Sequence, residues 1–384
     1  MRETVTVNNK KLRNVSMEPF KQDFISILKA VVCQDGTEIP ENADWDKIWM
    51  FARNNHLETA AYMAAPDAQK TRFKDVYLKM AARTVRQEHL LKEIESILNA
   101  ESIHYGLQKG SILKHDYPEL TFRFMSDIDI YIRPEDRTKI RSAMGKIGGV
   151  FRGKESGDEQ FLLEKSLGVE FHGRLLYRNT KHGIENYPDW KYVDERSNRL
   201  TEEGYALNLI GHAVGDLAKS GPGIRYILDL WVYRHRHQPQ PDWDAVMDRL
   251  RQDGIADAAE NLLDLSEYLF GNGAGTELMK EMAEYILAGG LYGDLARRSA
   301  TEAAETGGKG KAVLQQLFRN RTEFENRYPW LRRHPYLLPV AWGLRITDSF
   351  RRNRNRINSW IVDMKNTNTE EIKRQQEKLK RFGL

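Results

Sequence analysis

Residues 107–132 read LQKGSILKHDYPELTFRFMSDIDIYI, and the interpretation of the last seven, SDIDIYI, decides the fold. On a strand successive side chains point to opposite faces, so Asp127 and Asp129 share one face while Ile128, Ile130 and Ile132 share the other. The apolar face can rest on a core while two carboxylates project together. Neighbouring carboxylates repel and are costly to remove from water, so a pair beside so apolar a run calls for a compensating charge. Hard oxygen ligands at this spacing suit Mg²⁺ or Mn²⁺, which keep several waters and take one or two carboxylates plus substrate phosphates. The plain alternative is an acidic strand end that faces water.

Upstream, IHYGLQ reads as a short strand and ILKH as the opening of a helix, with Lys109-Gly110-Ser111 between them. A small residue followed by a hydroxyl at a helix start offers backbone N–H groups to a phosphate. Downstream, VEFHGRLLY alternates again, with Glu170 and His172 on one face and Val169 and Phe171 on the other, which makes Glu170 a candidate third carboxylate. Between them, PEDRTKIRSAMGKIG reads as a helix, with Pro134 at its start, acidic residues in its first turn and Gly148-Gly149 at its stop. With VFRGK and EQFLLEK as further strands, a small mixed sheet with one or two helices on one face is expected. A polar linker containing Pro188 is expected up to about Glu203.

Gly110-Ser111, the Asp127/Asp129 pair and the later strand carboxylate Glu170 resemble the active-site signature of the polymerase-beta-like nucleotidyltransferase superfamily. More narrowly, KGSIL, Tyr117-Pro118, Arg123 with SDIDIYI, VEFH, LIGHAV, GIRYILDLW, PDWDAV and RYPWLRRHPYLLPVAWGLR resemble a bacterial branch of uncharacterised nucleotidyltransferases, over roughly residues 20 to 350. The resemblance implies a nucleoside triphosphate (NTP) substrate and Mg²⁺ or Mn²⁺ bridged by Asp127 and Asp129, with Glu170 as a further ligand or the general base. It also implies Gly110 and Ser111 at the β and γ phosphates, with Lys109 or Arg123 adding positive charge. The chain departs from the superfamily pattern in two places. Fifteen residues separate Ser111 from Asp127, and Tyr117-Pro118 interrupts any helix begun at Ser111. Asp216 stands where that branch would lead one to expect a second histidine.

The flanks read as helices. From Glu18 to Ala100 these are FKQDFISILKAVV, DWDKIWMFARNNH with Asp44 as N-cap, LETAAYMAAP, and a long helix ending ESILNA; nothing in this region reads as catalytic. After Tyr205, helices return through YALNLIGHAVGDLAK, the break SGPG, GIRYILDLWVYRHR, PDWDAVMDRLRQDG and AAENLLDLSEYLF. His212 and Asp216 lie one turn apart, as do Arg225 and Asp229, and Lys219 can reach the same cleft. With His172 these residues are a candidate wall for nucleotide or acceptor; ordinary pairs holding a bundle together are the alternative. In HRH at 235–237 neighbours i and i+2 do not share a helix face and only one cysteine is available, which argues against zinc. GGKGK at 307–311 lacks the GKS or GKT ending of a P-loop.

The expected class is therefore α+β: a small mixed β-sheet nucleotidyltransferase core at 101–200, embedded between an N-terminal helical region at 1–100 and a C-terminal helical bundle at 201–318, with a basic aromatic helical tail at 319–384. Forty per cent hydrophobic residues in 384 allow a proper core and exclude a disordered chain. The single cysteine, Cys33, excludes an intrachain disulfide and, with no long apolar run and no apolar leader in MRETVTVNNKKLRN, implies a cytoplasmic protein with no transmembrane segment. The net charge is only +4, yet residues 319–384 carry sixteen Lys or Arg against seven Asp or Glu. That tail leans toward an anionic acceptor, RNA among the candidates; a solvated helix face is the alternative, as is a membrane-surface helix. A nucleotide- or RNA-binding adaptor that has lost turnover is the competing function class. Trp330, Tyr336, Leu337, Leu338 and Trp342 are expected to pack inward, and the polar last helix to fray at its end.

Overall fold

The alternation in SDIDIYI is realised as strand β2 (Asp127–Ile132), central in a five-stranded mixed sheet of order β1-β2-β5-β4-β3. Its partners are β1 (Tyr105–Leu107), β5 (Leu167–His172), β4 (Glu159–Leu163) and β3 (Val150–Phe151). Only β2 and β5 run parallel; β1, β4 and β3 pair antiparallel with their neighbours. The structure is a computed structural model that describes residues 17–152, 158–164, 166–180, 183–290, 293, 297–299, 301, 324, 328–352 and 369–384. The expected N-terminal arm and the GGKGK turn lie outside the described residues.

The sheet's apolar face carries Ile128, Ile130, Ile132, Val169, Phe171 and Phe161 into one cluster with the second half of α4 (Asp67–Ala100) and with α6 (Arg137–Lys146). Each such fully buried aliphatic or aromatic side chain contributes about 1.5–3 kcal/mol relative to exposure, which fixes the face on which the carboxylates must emerge. A one-residue slip of β2 would bury them instead.

A second, larger cluster lies on the other side. It joins α1 (Pro19–Leu28), α2 (Trp45–Asn55) and α3 (Glu58–Ala64) to α7 (Glu202–Lys219), α8 (Ile224–Arg236), α9 (Trp243–Gln252), α10 (Ala256–Phe270) and α11 (Glu277–Leu287). Helices from opposite ends of the chain thus share a core, and Tyr131, on the acidic face of β2, reaches into it. Asp44 caps α2, its carboxylate accepting from the Lys47 amide at 3.1 Å.

Several expectations are corrected. VEFHGRLLY is not one strand: it breaks at Gly173, and β6 (Leu176–Thr180) forms a separate hairpin with β7 (Gly183–Tyr187). Tyr177 of that hairpin lies on α7, where a Cβ added at Gly211 or Gly215 would fall 2.7 and 3.2 Å from its ring. The expected linker holds another two-stranded ladder, β8 (Val193–Asp194) with β9 (Arg199–Leu200). Near the C-terminus, Leu331 and Ala341 are buried with Phe324, and Trp330, Leu337, Leu338 and Trp342 pack around them, whereas Tyr336 is 72 % exposed. The last helix does not fray: Phe382 is fully buried against Tyr285, ring centroids 5.2 Å apart. No helix of the described residues is long and apolar enough to cross a membrane.

Candidate active site

The parallel register sets Asp129 directly opposite Glu170 and Asp127 opposite Gly168. Asp127, Asp129, Glu170 and His172 therefore share one face across two adjacent strands. One ligand atom each of Asp129, Glu170 and His172 lies within 4.8 Å of the others, close enough to converge on a single cation. Two carboxylates with an imidazole form an oxygen-rich donor set that suits a hard divalent ion.

The charges on this face are partly neutralised from within. Lys109 Nζ donates to Asp129 Oδ1 at 3.0 Å and His172 Nε2 meets the same oxygen at 2.6 Å. Burial would push the Asp129 carboxyl up, but Lys109 and His172 outweigh it and hold the group well below the usual carboxylate range. Burial likewise opposes the His172 imidazolium, and hydrogen bonds with Asp129 and Asp158 overcome it, raising the group to about 9. Glu170 Oε1 accepts from Gln160 Nε2 of the neighbouring strand.

Asp127 differs from Asp129. Its oxygen accepts from Ser126 Oγ at 2.8 Å, and burial, followed by the charges of Asp129 and Glu170, pushes it up to about 6. A folded-state value above the ordinary 3.8 means that ionisation costs the folded protein free energy. The corresponding stability is present below about pH 4 and lost as pH rises through 6. In EDTA, Asp127→Asn is therefore expected to stabilise the protein by about 1–3 kcal/mol at pH 7.5 and by almost nothing at pH 4. Urea unfolding at the two pH values checks this, and equal stabilisation at both would count against it.

Lys109 precedes the four-residue helix α5 (Gly110–Leu113) with φ +48, an uncommon conformation for a non-glycine residue. Its carbonyl accepts from Tyr205 OH of α7 at 2.6 Å. Gly110 is pressed so close that an added Cβ would lie 2.7 Å from the Met125 side chain. The Ser111 amide donates to the Gln108 carbonyl at 3.2 Å, and its buried hydroxyl has no hydrogen-bond partner among the described residues.

The helical wall is only in part as expected. His212 stacks on Tyr226, centroids 5.3 Å apart, with Asp216 Oδ2 3.4 Å from its Nδ1. Burial, with Lys109 nearby, drops His212 to about 4, so it is neutral near pH 7. Tyr177 and Tyr226 both lie within electrostatic reach of Lys109. Lys219 is exposed in the last turn of α7. His172, expected on the wall, sits instead on Asp129.

Arg123 and Asp229 are corrections. Asp229 has no exposed surface, and Arg123 Nε stands 2.8 Å from its Oδ1, where Tyr117 OH also donates at 2.6 Å. Arg225 does not pair with Asp229 along its helix; its Nη1 donates to the Phe124 carbonyl at 3.1 Å. The i, i+4 spacing placed Arg225 and Asp229 on one side of α8, but that side faces the protein interior. Gln160, Tyr177 and Tyr226 went unread in the sequence, since an amide or a tyrosine has no signature until register and packing set it beside a carboxylate.

No curated protein and no solved structure matches this chain. The sequence model of one family, described as Uncharacterised nucleotidyltransferase, matches residues 41–271, more than half of the chain and all of the site just described. The chain belongs to that nucleotidyltransferase family.

Proposed function

We propose that the protein transfers the nucleoside monophosphate group of an NTP to an acceptor hydroxyl, releasing pyrophosphate, with Mg²⁺ or Mn²⁺ held by Asp129, Glu170 and Asp127. The observation that carries this reading is the facing of Asp129 and Glu170 across the parallel β2–β5 pair, with Asp127 on the same face. When bound, the cation supplies positive charge for the oxygens on which negative charge builds during the displacement. The acceptor oxygen bonds to the α phosphorus, the bond from that phosphorus to the pyrophosphate oxygen breaks, and the hydroxyl proton passes to Glu170. Gln160 orients Glu170 for that task through its hydrogen bond. Lys109, whose ammonium rests on Asp129, is placed to offer positive charge to a phosphate beside it. Tyr177, His212 and Tyr226 supply the aromatic surface of the facing wall.

Glu170→Gln is expected to keep the fold and nucleotide binding but slow transfer by about 10²–10⁴-fold, the usual contribution of a positioned base. Single-turnover kinetics beside equilibrium nucleotide binding separates these effects. If the variant unfolds instead, Glu170 is a structural group.

A second reading, a nucleotide-binding adaptor without turnover, is favoured by one observation: the Ser111 amide is already engaged by Gln108, and Lys109 and His172 already neutralise Asp129. Calorimetric titration with each NTP and Mg²⁺, run on the wild type and on the Asp127→Asn/Asp129→Asn double variant, tests both readings. Metal-dependent binding lost in the double variant supports the site. Such binding without pyrophosphate release over a panel of hydroxyl acceptors supports the adaptor.

A further inference from the structure

Nothing in residues 1–100 reads as catalytic in the sequence, yet one side chain of α4 bridges the entries of both carboxylate-bearing strands. Arg83 Nη2 donates to the Ser126 carbonyl at 2.6 Å and Nε to the Met125 carbonyl at 3.3 Å, both immediately before β2. Its Nη1 reaches the Ser166 carbonyl at 3.5 Å, immediately before β5. One turn along the same helix, the buried Gln87 Nε2 donates to the Met125 carbonyl at 3.0 Å. The guanidinium also lies over the Phe124 ring, 5.5 Å from its centroid, and within electrostatic reach of Asp127.

The planar fork of an arginine suits this task, because several donors in a fixed plane can hold separate carbonyls in one relative geometry. Asp127 follows Ser126 directly, so a shift of that carbonyl is a shift of the carboxylate. Glu170 lies four residues beyond Ser166 along the paired strand. β1, β4 and β3 do not bridge these two entries; the ladder between β2 and β5 and this one guanidinium do.

We infer that Arg83, supported by Gln87, is a positioning residue that fixes the Asp127/Asp129 and Glu170 carboxylates relative to one another, and so makes the N-terminal helical region part of the active site. The inference rests on the reading of these carboxylates as metal ligands. It concerns geometry at the backbone, and Arg83 is not placed against substrate.

The test is Mn²⁺ binding to the full-length chain, followed by the electron paramagnetic resonance signal of free Mn²⁺, with the melting temperature recorded in the same buffer. Arg83→Ala is expected to weaken Mn²⁺ binding by about tenfold or more, the usual cost of removing a group that orients metal ligands. Arg83→Lys, which keeps the charge but not the fork, is expected to fall between the two. Thr84→Val, one residue away, removes a hydroxyl that bonds only within its own helix, to the Met80 carbonyl, and serves as the control for simple destabilisation. Unchanged Mn²⁺ affinity in Arg83→Ala overturns the inference, as does a loss of affinity in Thr84→Val in proportion to its melting temperature. If Arg83→Ala does not fold, Arg83→Lys and Gln87→Leu carry the same comparison. Wild-type protein that binds no Mn²⁺, or binding that survives in Asp129→Asn, overturns the metal reading and this inference with it. Binding lost in Asp129→Asn but intact in Arg83→Ala overturns this inference alone.

Discussion

Asp129→Asn is expected to abolish metal-dependent nucleotide binding and to lower transfer by at least about a thousandfold, the largest single effect in the molecule. The carboxamide keeps the shape of the side chain and an oxygen that still accepts a hydrogen bond, so loss through unfolding is not the expected route. What disappears is the charge at the centre of the site, where Lys109, His172 and the facing Glu170 converge. The same substitution carries a second, independent signature. Hydrogen bonding to Asp129 and to Asp158 holds His172 up at about 9 against the cost of burial. Without the Asp129 charge the burial cost is less opposed, so the His172 titration must move downward, and an imidazole NMR titration of metal-free protein reads the shift directly. The stability consequence has a definite sign. A raised histidine contributes stability that is present below its ordinary 6.5 and lost as pH rises through 9, so the variant should lose stability mainly at pH 6 and below and should converge toward the wild type above pH 9. Full activity in this variant would remove the assignment of the site. An unmoved His172 titration would show that the imidazolium is held by other groups.

The carboxylate face was legible because a period of two is a local property. Once SDIDIYI is a strand, the placement of Asp127 and Asp129 opposite the isoleucines follows from the covalent geometry of the chain. The same reasoning gave Glu170 a face, but not a neighbour. Its position opposite Asp129 depends on a parallel register across some forty residues of intervening chain, which no periodicity encodes. Helices with strong caps and apolar stripes, such as α2 behind Asp44, were equally readable. The misreadings fall where the decision is made by packing. VEFHGRLLY alternates without interruption, yet the chain turns at Gly173, and Tyr177 finds its place on the glycines of α7. A polar last helix looks ready to fray until Phe382 is seen to be buried against Tyr285. Arg83 is the clearest case. An arginine on a long helix has the composition of a solvated face, and only the tertiary fold brings three carbonyls to it.

Asp229→Ala is expected to cost about 3–5 kcal/mol of stability, because it removes one partner of a buried ion pair and leaves the other charge uncompensated. Asp229 is fully buried, and Arg123, itself only 4 % exposed, lies against the oxygen that also accepts from Tyr117 OH. The buried Arg225 guanidinium is close by, and both arginines donate to the same Phe124 carbonyl, at 2.7 and 3.1 Å. Two guanidiniums turned on one carbonyl repel, and Asp229 is the carboxylate that makes the arrangement tolerable at the Arg123 end; Glu58 of α3 is within electrostatic reach of Arg225. A typical domain holds only about 5–15 kcal/mol in all, so the loss should appear as a large drop in the urea midpoint, if the variant folds at all. Replacing both partners, as in Arg123→Met with Asp229→Leu, removes the stranded charge along with the pair and is expected to recover most of the loss. These outcomes also decide between two roles for the residue. If Asp229 contacted a nucleotide or acceptor, its substitution would weaken binding with little change in unfolding. If it holds the turn at Phe124 from which Ser126 and Asp127 follow, stability falls first, and the double variant restores stability together with metal binding.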